Sequence, residues 1–227
     1  MATDRLETEL QRLYGAPQGG GRVRAAVLEL ARPARWETLA AAWQGVQADL
    51  DLPAPAIAVN GCDGHQLWFS LAPSVEPAQA TALLDALIAR YLAEVPPDRI
   101  AMTPSVAPPT EVAAGRWSAF VAPDLASVFA DEPWLDMPPS ADAQADMLAR
   151  LKSIPPEALE RARERLRAAA APPVARVPAA SAAGGTAAAP AADADPRRFL
   201  LGVMNDPAVD LRLRIEAAKA LLPSSQR

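Results

Sequence analysis

One short segment carries the residue types that could do chemistry. Residues 56–71 read as an apolar strand, a polar turn with two glycines, and a second strand. This segment holds Cys62 and His65, the only cysteine and the only histidine among the 227 residues. A histidine at the mouth of a glycine-bounded hairpin is a candidate for contacting a phosphate group or a metal ion. His65 is therefore the leading candidate for a ligand contact.

The same residues also have a purely structural interpretation. Gly61 and Gly64 suit any tight hairpin that needs positive φ angles. His65 would then make a structural hydrogen bond in the turn or along an edge strand. Cys62 lies near His65, as in a nucleophile pair, but residues this close in sequence rarely reach the geometry that such a pair requires. At the level of the sequence both interpretations of His65 stay open.

Composition and charge bound the class of protein. The chain has 22 Lys and Arg against 27 Asp and Glu, which gives a net charge of −5. Non-specific binding to nucleic acid depends on neutralising phosphates, and an acidic body argues against strong binding of that kind. One cysteine excludes an internal disulfide. No apolar run reaches about 18 residues, and residues 1–12 lack the apolar core of a signal peptide. We expect a cytoplasmic protein with no membrane partner.

Hydrophobic periodicity predicts the elements that position the hairpin. Residues 22–30 read as a strand that includes Glu29. A helix follows, because Trp36, Leu39, Trp43, Val46 and Leu50 fall at helical spacing. After the hairpin, apolar residues at helical spacing over 83–92 predict a second helix. Strand, helix, strand, strand, helix is one split β-α-β unit with a hairpin. The predicted fold class is therefore α+β, with a small sheet.

Composition divides the chain into four predicted regions. Residues 1–109 form the α+β domain, and residues 110–171 form a helical extension packed on it. Residues 172–195 are mostly Ala, Pro, Gly and Ser, with no apolar side chain larger than valine. They bury too little area to offset an ordering entropy of ~1–2 kcal/mol per residue, so we predict a disordered linker. Residues 196–227 regain apolar periodicity and predict a helical hairpin, which resembles a single HEAT-type repeat.

The C-terminal hairpin is the predicted contact for a protein partner. A lone helical hairpin of this size buries no core of its own and is marginal in water. Its apolar side chains need a cover, and we expect a partner chain to supply it, because a linker would be superfluous for fixed docking within the chain. The residues predicted to meet that partner are Phe199, Leu200, Met204, Ile215 and Leu221.

The order of elements around Asn60-Gly61-Cys62-Asp63-Gly64-His65 resembles the archaeo-eukaryotic primase-polymerases over about residues 22–95. In that family a first strand carries Asp-x-Asp, whose carboxylates hold divalent metals. A later strand carries a small-polar-Gly-x-Gly-x-His type of motif, whose histidine meets the phosphates of the incoming nucleotide. The resemblance implies Asn60, Gly61, Gly64 and His65 as ligand contacts, and Glu29 as a metal ligand.

This chain departs from the family at the metal ligands. Two residues after Glu29 stands Ala31, where two-metal nucleotidyl transfer needs a second carboxylate. Residues 99–103, where the third acidic strand is expected, contain no carboxylate. Asp49 and Asp51 do form an Asp-x-Asp, but at a predicted helix end. We therefore expect a degenerate primase-like domain with no catalytic residue and no cofactor.

Three functions follow as hypotheses. The first is a non-catalytic accessory protein associated with nucleic acid or nucleotide, from a mobile element, which needs a basic patch such as Arg22, Arg24, Arg32 and Arg35 near His65. The second is a protein–protein adaptor that acts through the C-terminal hairpin. The third is an active nucleotidyltransferase. If the primase-like order is genuine, strands 23–30 and 56–60 are neighbours, and Glu29 and His65 share one sheet face.

Overall fold

The computed structural model describes residues 2–15, 21–33, 35–102 and 106–170. Its α-helices are α1 (Ala2–Tyr14), α2 (Trp36–Ala48), α3 (Pro77–Tyr91), α4 (Ala141–Ala149) and α5 (Pro156–Ala170). Its strands are β1 (Val23–Ala31), β2 (Ala56–Val59), β3 (Gly64–Val75), β4 (Ile100–Ala101), β5 (Thr110–Ala113) and β6 (Arg116–Val121). Short 3-10 helices cover Pro97–Arg99 and Ala126–Phe129. None of the helices in these ranges is long and apolar enough to cross a membrane.

The strands form one antiparallel sheet in the order β4-β1-β3-β2-β6-β5. The predicted α+β class is confirmed. The expectation that strands 23–30 and 56–60 are neighbours is wrong, because β3 lies between them and pairs with both. The connection β1-α2-β2 leaves a gap of one strand, which the second strand of the hairpin fills. The elements β1 to β4 with α2 and α3 therefore have the ferredoxin-like order.

Each face of the sheet is covered by its own helices. On one face, helices α2, α3 and α5 pack against alternate strand residues such as Leu28 and Phe69. On the other face, α1 and α4 cover Val27, Trp68 and Phe120. Burial in this second layer raises the pKa of the Tyr14 hydroxyl. Adjacent residues of a strand belong to opposite layers, so one step along the chain decides which core a side chain enters.

Residues 110–170 differ from the expected helical extension. They begin with the hairpin β5–β6, and β6 pairs with β2, which widens the sheet to six strands. The reason is the alternation within β6, where Ala119 and Val121 enter one core and Phe120 enters the other. Two helices follow this hairpin, α4 on one face and α5 on the other.

The chain divides into two units, Met1–Ala175 and Arg176–Arg227. The predicted linker 172–195 and the predicted hairpin 196–227 lie outside the described residues. The same holds for the five residues predicted to meet a partner, Phe199, Leu200, Met204, Ile215 and Leu221.

Candidate functional site

Asn60 organises the turn between β2 and β3. Its side-chain oxygen accepts hydrogen bonds from the backbone N–H groups of Cys62, Asp63 and Gly64 at 2.8, 2.9 and 3.0 Å. Its side-chain nitrogen donates to the carboxylates of Glu29 and Asp63, each at 3.2 Å. An asparagine side chain that replaces backbone acceptors in this way stabilises a tight turn. Both ends of the Asn60 amide are therefore engaged within the fold.

Gly61 and Gly64 satisfy two different steric constraints. Gly61 has a φ of +84°, and a Cβ atom there would stand 2.5 Å from Val112 Cγ2 and 2.9 Å from the Ser118 nitrogen. Gly64 opens β3, and a Cβ atom there would stand 2.8 Å from the Leu30 carbonyl oxygen. The turn thus needs positive φ at Gly61 only, whereas close backbone packing accounts for Gly64. Both glycines are buried.

His65 is a core residue in this fold. It is 0 % exposed. Its Nε2 atom lies 2.9 Å from the Ala126 carbonyl oxygen, and its ring centroid is 5.8 Å from that of Trp36. A carbonyl oxygen only accepts, so Nε2 carries the proton and donates it. A phosphate or a metal ion in solvent would have to open the core to reach this ring, and the geometry therefore supports the structural interpretation of His65.

Glu29 lies on the opposite face of the sheet from His65. In the register of β1 and β3, Glu29 stands opposite Gln66, and Leu30 stands opposite His65. Adjacent residues in a strand point to opposite faces, so Glu29 shares a face with Gln66 and not with His65. The Gln66 amide donates a hydrogen bond to the Glu29 carboxylate, as the Asn60 amide also does. The expectation that Glu29 and His65 share one sheet face is wrong.

The expectation failed because it placed the side chains on the wrong faces of their strands. A sequence motif assigns residues to a strand, but only the register between strands assigns them to a face, and a shift of one residue reverses the assignment. The primase-like mechanism needs its metal ligand and its phosphate contact around one substrate. With Glu29 and His65 on different faces, the resemblance loses its mechanistic content.

Two of the predicted residues do meet in a pocket of about 340 Å³. The pocket is lined by Glu29 and Asn60, with Gln66, Thr110, Ser118, Val106 and Val112. No lysine or arginine in the described ranges forms an ion pair with the half-buried Glu29 carboxylate. An uncompensated carboxylate repels a phosphate group. This pocket is therefore poorly suited to a nucleotide.

The remaining acidic candidates, Asp49 and Asp51, do not line this pocket. Asp49 accepts hydrogen bonds from Arg90 at 2.9 Å and from Tyr91 at 3.0 Å. These two donors, Arg90 first, lower the pKa of the Asp49 carboxyl group. Asp51 has a φ of +57°, at the end of the turn that follows α2. Among the residues that the structure describes, no group of three His, Cys, Asp or Glu side chains could hold a metal ion.

The four arginines expected to form a basic patch are divided between the two ends of β1. Arg22 and Arg24, at the start of the strand, each donate to a backbone carbonyl of β3. Arg32 and Arg35 follow the other end, and Arg32 pairs with Asp63 at 3.6 Å. A strand of nine residues spans ~30 Å. The four charges therefore do not gather beside the histidine.

The structure also contains a surface that the sequence analysis did not single out. Residues between 128 and 137 line a groove of about 370 Å³. We call this surface the 128–137 groove, and its lining is Val128, Phe129, Glu132, Trp134, Leu135, Asp136 and Met137. The acidic character of this segment could be seen in the sequence, since no lysine or arginine stands between Arg116 and Arg150.

Comparisons with known proteins add no relative. Neither the family models, nor the curated proteins, nor the solved structures contain a match to this chain. The resemblance to primase-polymerases therefore stays a prediction.

Proposed function

We propose that this protein is a non-catalytic protein–protein adaptor. In this proposal the α+β domain is a scaffold, and the C-terminal residues 196–227 contact the partner. The observation that carries the proposal is the burial of His65 in the core, on the sheet face opposite Glu29. The residue types that could perform chemistry build the turn and its packing, and this use favours a scaffold over an enzyme.

The composition of residues 196–227 supports a binding role for the tail. This segment has six basic and three acidic side chains and many large apolar ones. An apolar segment of this kind is typical of sequences that dock as an amphipathic helix into a groove of another protein. The contact residues we propose are Phe199, Leu200, Met204, Ile215 and Leu221.

The alternative is the accessory protein associated with nucleic acid or nucleotide, as the primase-like resemblance implies. Two observations give it less support. The arginines it needs are divided between the two ends of β1, and the pocket at Glu29 carries an uncompensated negative charge. Both features disfavour a polyanion.

The test compares two double variants of the full chain. Phe199→Ser with Leu200→Ser alters the tail, and Val106→Ser with Val112→Ser alters two exposed apolar residues of the domain as a matched control. Cross-linking in cells with mass spectrometry identifies partners, and calorimetry with each purified partner measures its Kd. We expect the tail variant to weaken binding by about tenfold or more and the control variant to leave it unchanged.

Two results would contradict the adaptor role. The first is a tail variant that keeps full affinity for every partner that the wild-type chain binds. The second is salt-dependent binding of a single-stranded oligonucleotide or of ATP by the purified chain, measured by fluorescence anisotropy. The second result would favour the nucleic-acid or nucleotide role instead.

A further inference from the structure

Three exposed apolar side chains lie in one short segment of the domain. Five large apolar residues are exposed in the described ranges: Leu125, Val128 and Met137 fall between residues 122 and 137, and the other two are Val106 and Val112. Val128 is 71 % exposed and Met137 is 69 % exposed, and both line the 128–137 groove. An exposed apolar patch with a polar rim is typical of an interaction site.

Contacts with the sheet and among its own side chains hold the groove in place. The backbone of Leu135 exchanges two hydrogen bonds with Trp117 of β6, at 2.9 and 3.0 Å. The Trp134 indole N–H donates to Asp136 at 3.1 Å, and the Arg116 guanidinium lies 4.1 Å from the centroid of the Trp134 ring. A surface that is ordered before binding loses less conformational entropy when a ligand arrives. These contacts therefore fix the shape of the groove in the free protein.

The segment that forms the groove carries more acidic than basic side chains. Between Arg116 and Arg150 the sequence has six acidic residues and no basic one. Four of them are exposed: Glu132 and Asp136 line the groove, Asp131 precedes Glu132 in the sequence, and Asp124 stands four residues before Val128. None of these four forms an ion pair with another described residue. Arg116, whose charge faces the Trp134 ring, is the basic side chain at this surface.

We propose that the 128–137 groove binds a positively charged amphipathic segment of a partner protein. The large apolar side chains of that segment would contact Val128, Trp134 and Met137. Its Lys and Arg side chains would face Asp131, Glu132 and the other acids. Charge complementarity of this kind steers association and selects the partner. The inference goes beyond the adaptor role of the tail, because it assigns a second docking surface, on the domain itself.

The test uses the full chain and two synthetic peptides of 16 residues. One peptide carries leucines at helical spacing with lysines on the opposite face, and the other has glutamate in place of every lysine. Fluorescence anisotropy of labelled peptide gives the Kd at two salt concentrations. We expect the Leu/Lys peptide to bind at least about tenfold more tightly than the Leu/Glu peptide, and the difference to shrink as salt increases.

Variants then locate the binding. Asp131→Lys with Glu132→Lys reverses two charges at the groove, and neither side chain forms a hydrogen bond with another residue that the structure describes. Asp85→Lys with Glu94→Lys makes the same change in net charge at exposed acids in and after α3. We expect the first pair to weaken the Leu/Lys peptide about tenfold and the second by less than about twofold. Val128→Ser with Met137→Ser should also weaken binding of the Leu/Lys peptide, because both side chains line the groove. The fold should tolerate this change, since both side chains are exposed.

Several results would overturn the proposal. Equal losses in the two charge-reversal variants would mean diffuse attraction by an acidic protein. Equal affinity for both peptides would show that the acidic residues of the groove do not select a positively charged segment. A concentration-dependent dimer in sedimentation that Val128→Ser with Met137→Ser dissociates would make a second copy the occupant. A rise in peptide affinity in the Phe199→Ser, Leu200→Ser variant would make the chain's own tail the occupant.

Discussion

Gly61 gives the sharpest test of the structural interpretation of the Asn-Gly-x-x-Gly-His turn. Gly61 and Gly115 both have positive φ, +84° and +71°. A Cβ atom at Gly61 would overlap Val112 and the Ser118 backbone nitrogen, whereas a Cβ atom at Gly115 would meet nothing within 4 Å. Alanine at the two positions therefore differs mainly in steric overlap, because the backbone conformation is similar.

The expected losses of unfolding free energy follow from the backbone conformation and from the steric overlap. A left-handed conformation destabilises the folded state by ~1–2 kcal/mol for an alanine. Replacing glycine also lowers the conformational entropy of the unfolded chain, which stabilises the fold by ~0.4–1 kcal/mol. Gly115→Ala should therefore lose roughly 0.5–1.5 kcal/mol of unfolding free energy. Gly61→Ala adds an overlap with a backbone atom of β6 that cannot rotate away, which is worth ~1–3 kcal/mol. Its total loss should be roughly 2–4 kcal/mol.

Urea denaturation followed by tryptophan fluorescence measures both losses. At about 2–4 °C per kcal/mol for a chain of this size, Gly61→Ala should also lower Tm by roughly 4–16 °C. Equal destabilisation by the two variants would refute the packing argument. A Gly61→Ala protein with wild-type stability would reopen the possibility that the glycine serves a ligand.

Two further predictions concern the buried histidine and the exposed aspartate. His65→Leu should cost ~1–3 kcal/mol of stability, because the Ala126 carbonyl is left unpaired in the core. It should leave partner affinity unchanged, and urea denaturation with calorimetry checks both. Arg90 and Tyr91 lower the pKa of Asp49 in the folded state, so its contribution to stability is present above the unfolded pKa of about 3.9 and is lost as pH falls through the folded value. Asp49→Asn should therefore be less stable than wild type at pH 7, and the difference should shrink below about pH 4, as urea denaturation at the two pH values would measure.

Local patterns were sufficient for the main helices and strands of residues 22–92 but not for the register between the strands. The apolar spacing of Trp36, Leu39 and Val46 predicts α2, which the structure has, because a helix must bury one side. The hairpin around Gly61 was also predicted, since glycine and asparagine suit its turn. The position of β3 between β1 and β2 depends on how three distant segments pair, and no local pattern states that. The faces of Glu29 and His65 were therefore beyond the sequence.

The strand β6 also depends on pairing between distant segments, which local patterns do not predict. Residues 110–171 contain enough helix-forming residues that a helical extension was the natural expectation. The segment 116–121 alternates, but its partner β2 lies some sixty residues earlier in the chain. A short alternating segment forms a strand only where a sheet edge is available to pair with it. The alternating segment is visible in the sequence, but its pairing with β2 is known only from the tertiary structure.

The residue types that attract attention in a sequence are those with reactive side chains, and here the fold uses them for its own construction. Asn60 replaces backbone acceptors, Gly61 permits a positive φ, and His65 donates to a carbonyl in the core. Each of these roles requires the same residue type that a nucleotide site would require, so a motif of this length cannot separate the two. The 128–137 groove consists of ordinary residues, and what distinguishes it is its exposed apolar side chains and the excess of acidic over basic residues in its segment. The groove, and not the histidine, is therefore the place where we propose to test this domain for binding.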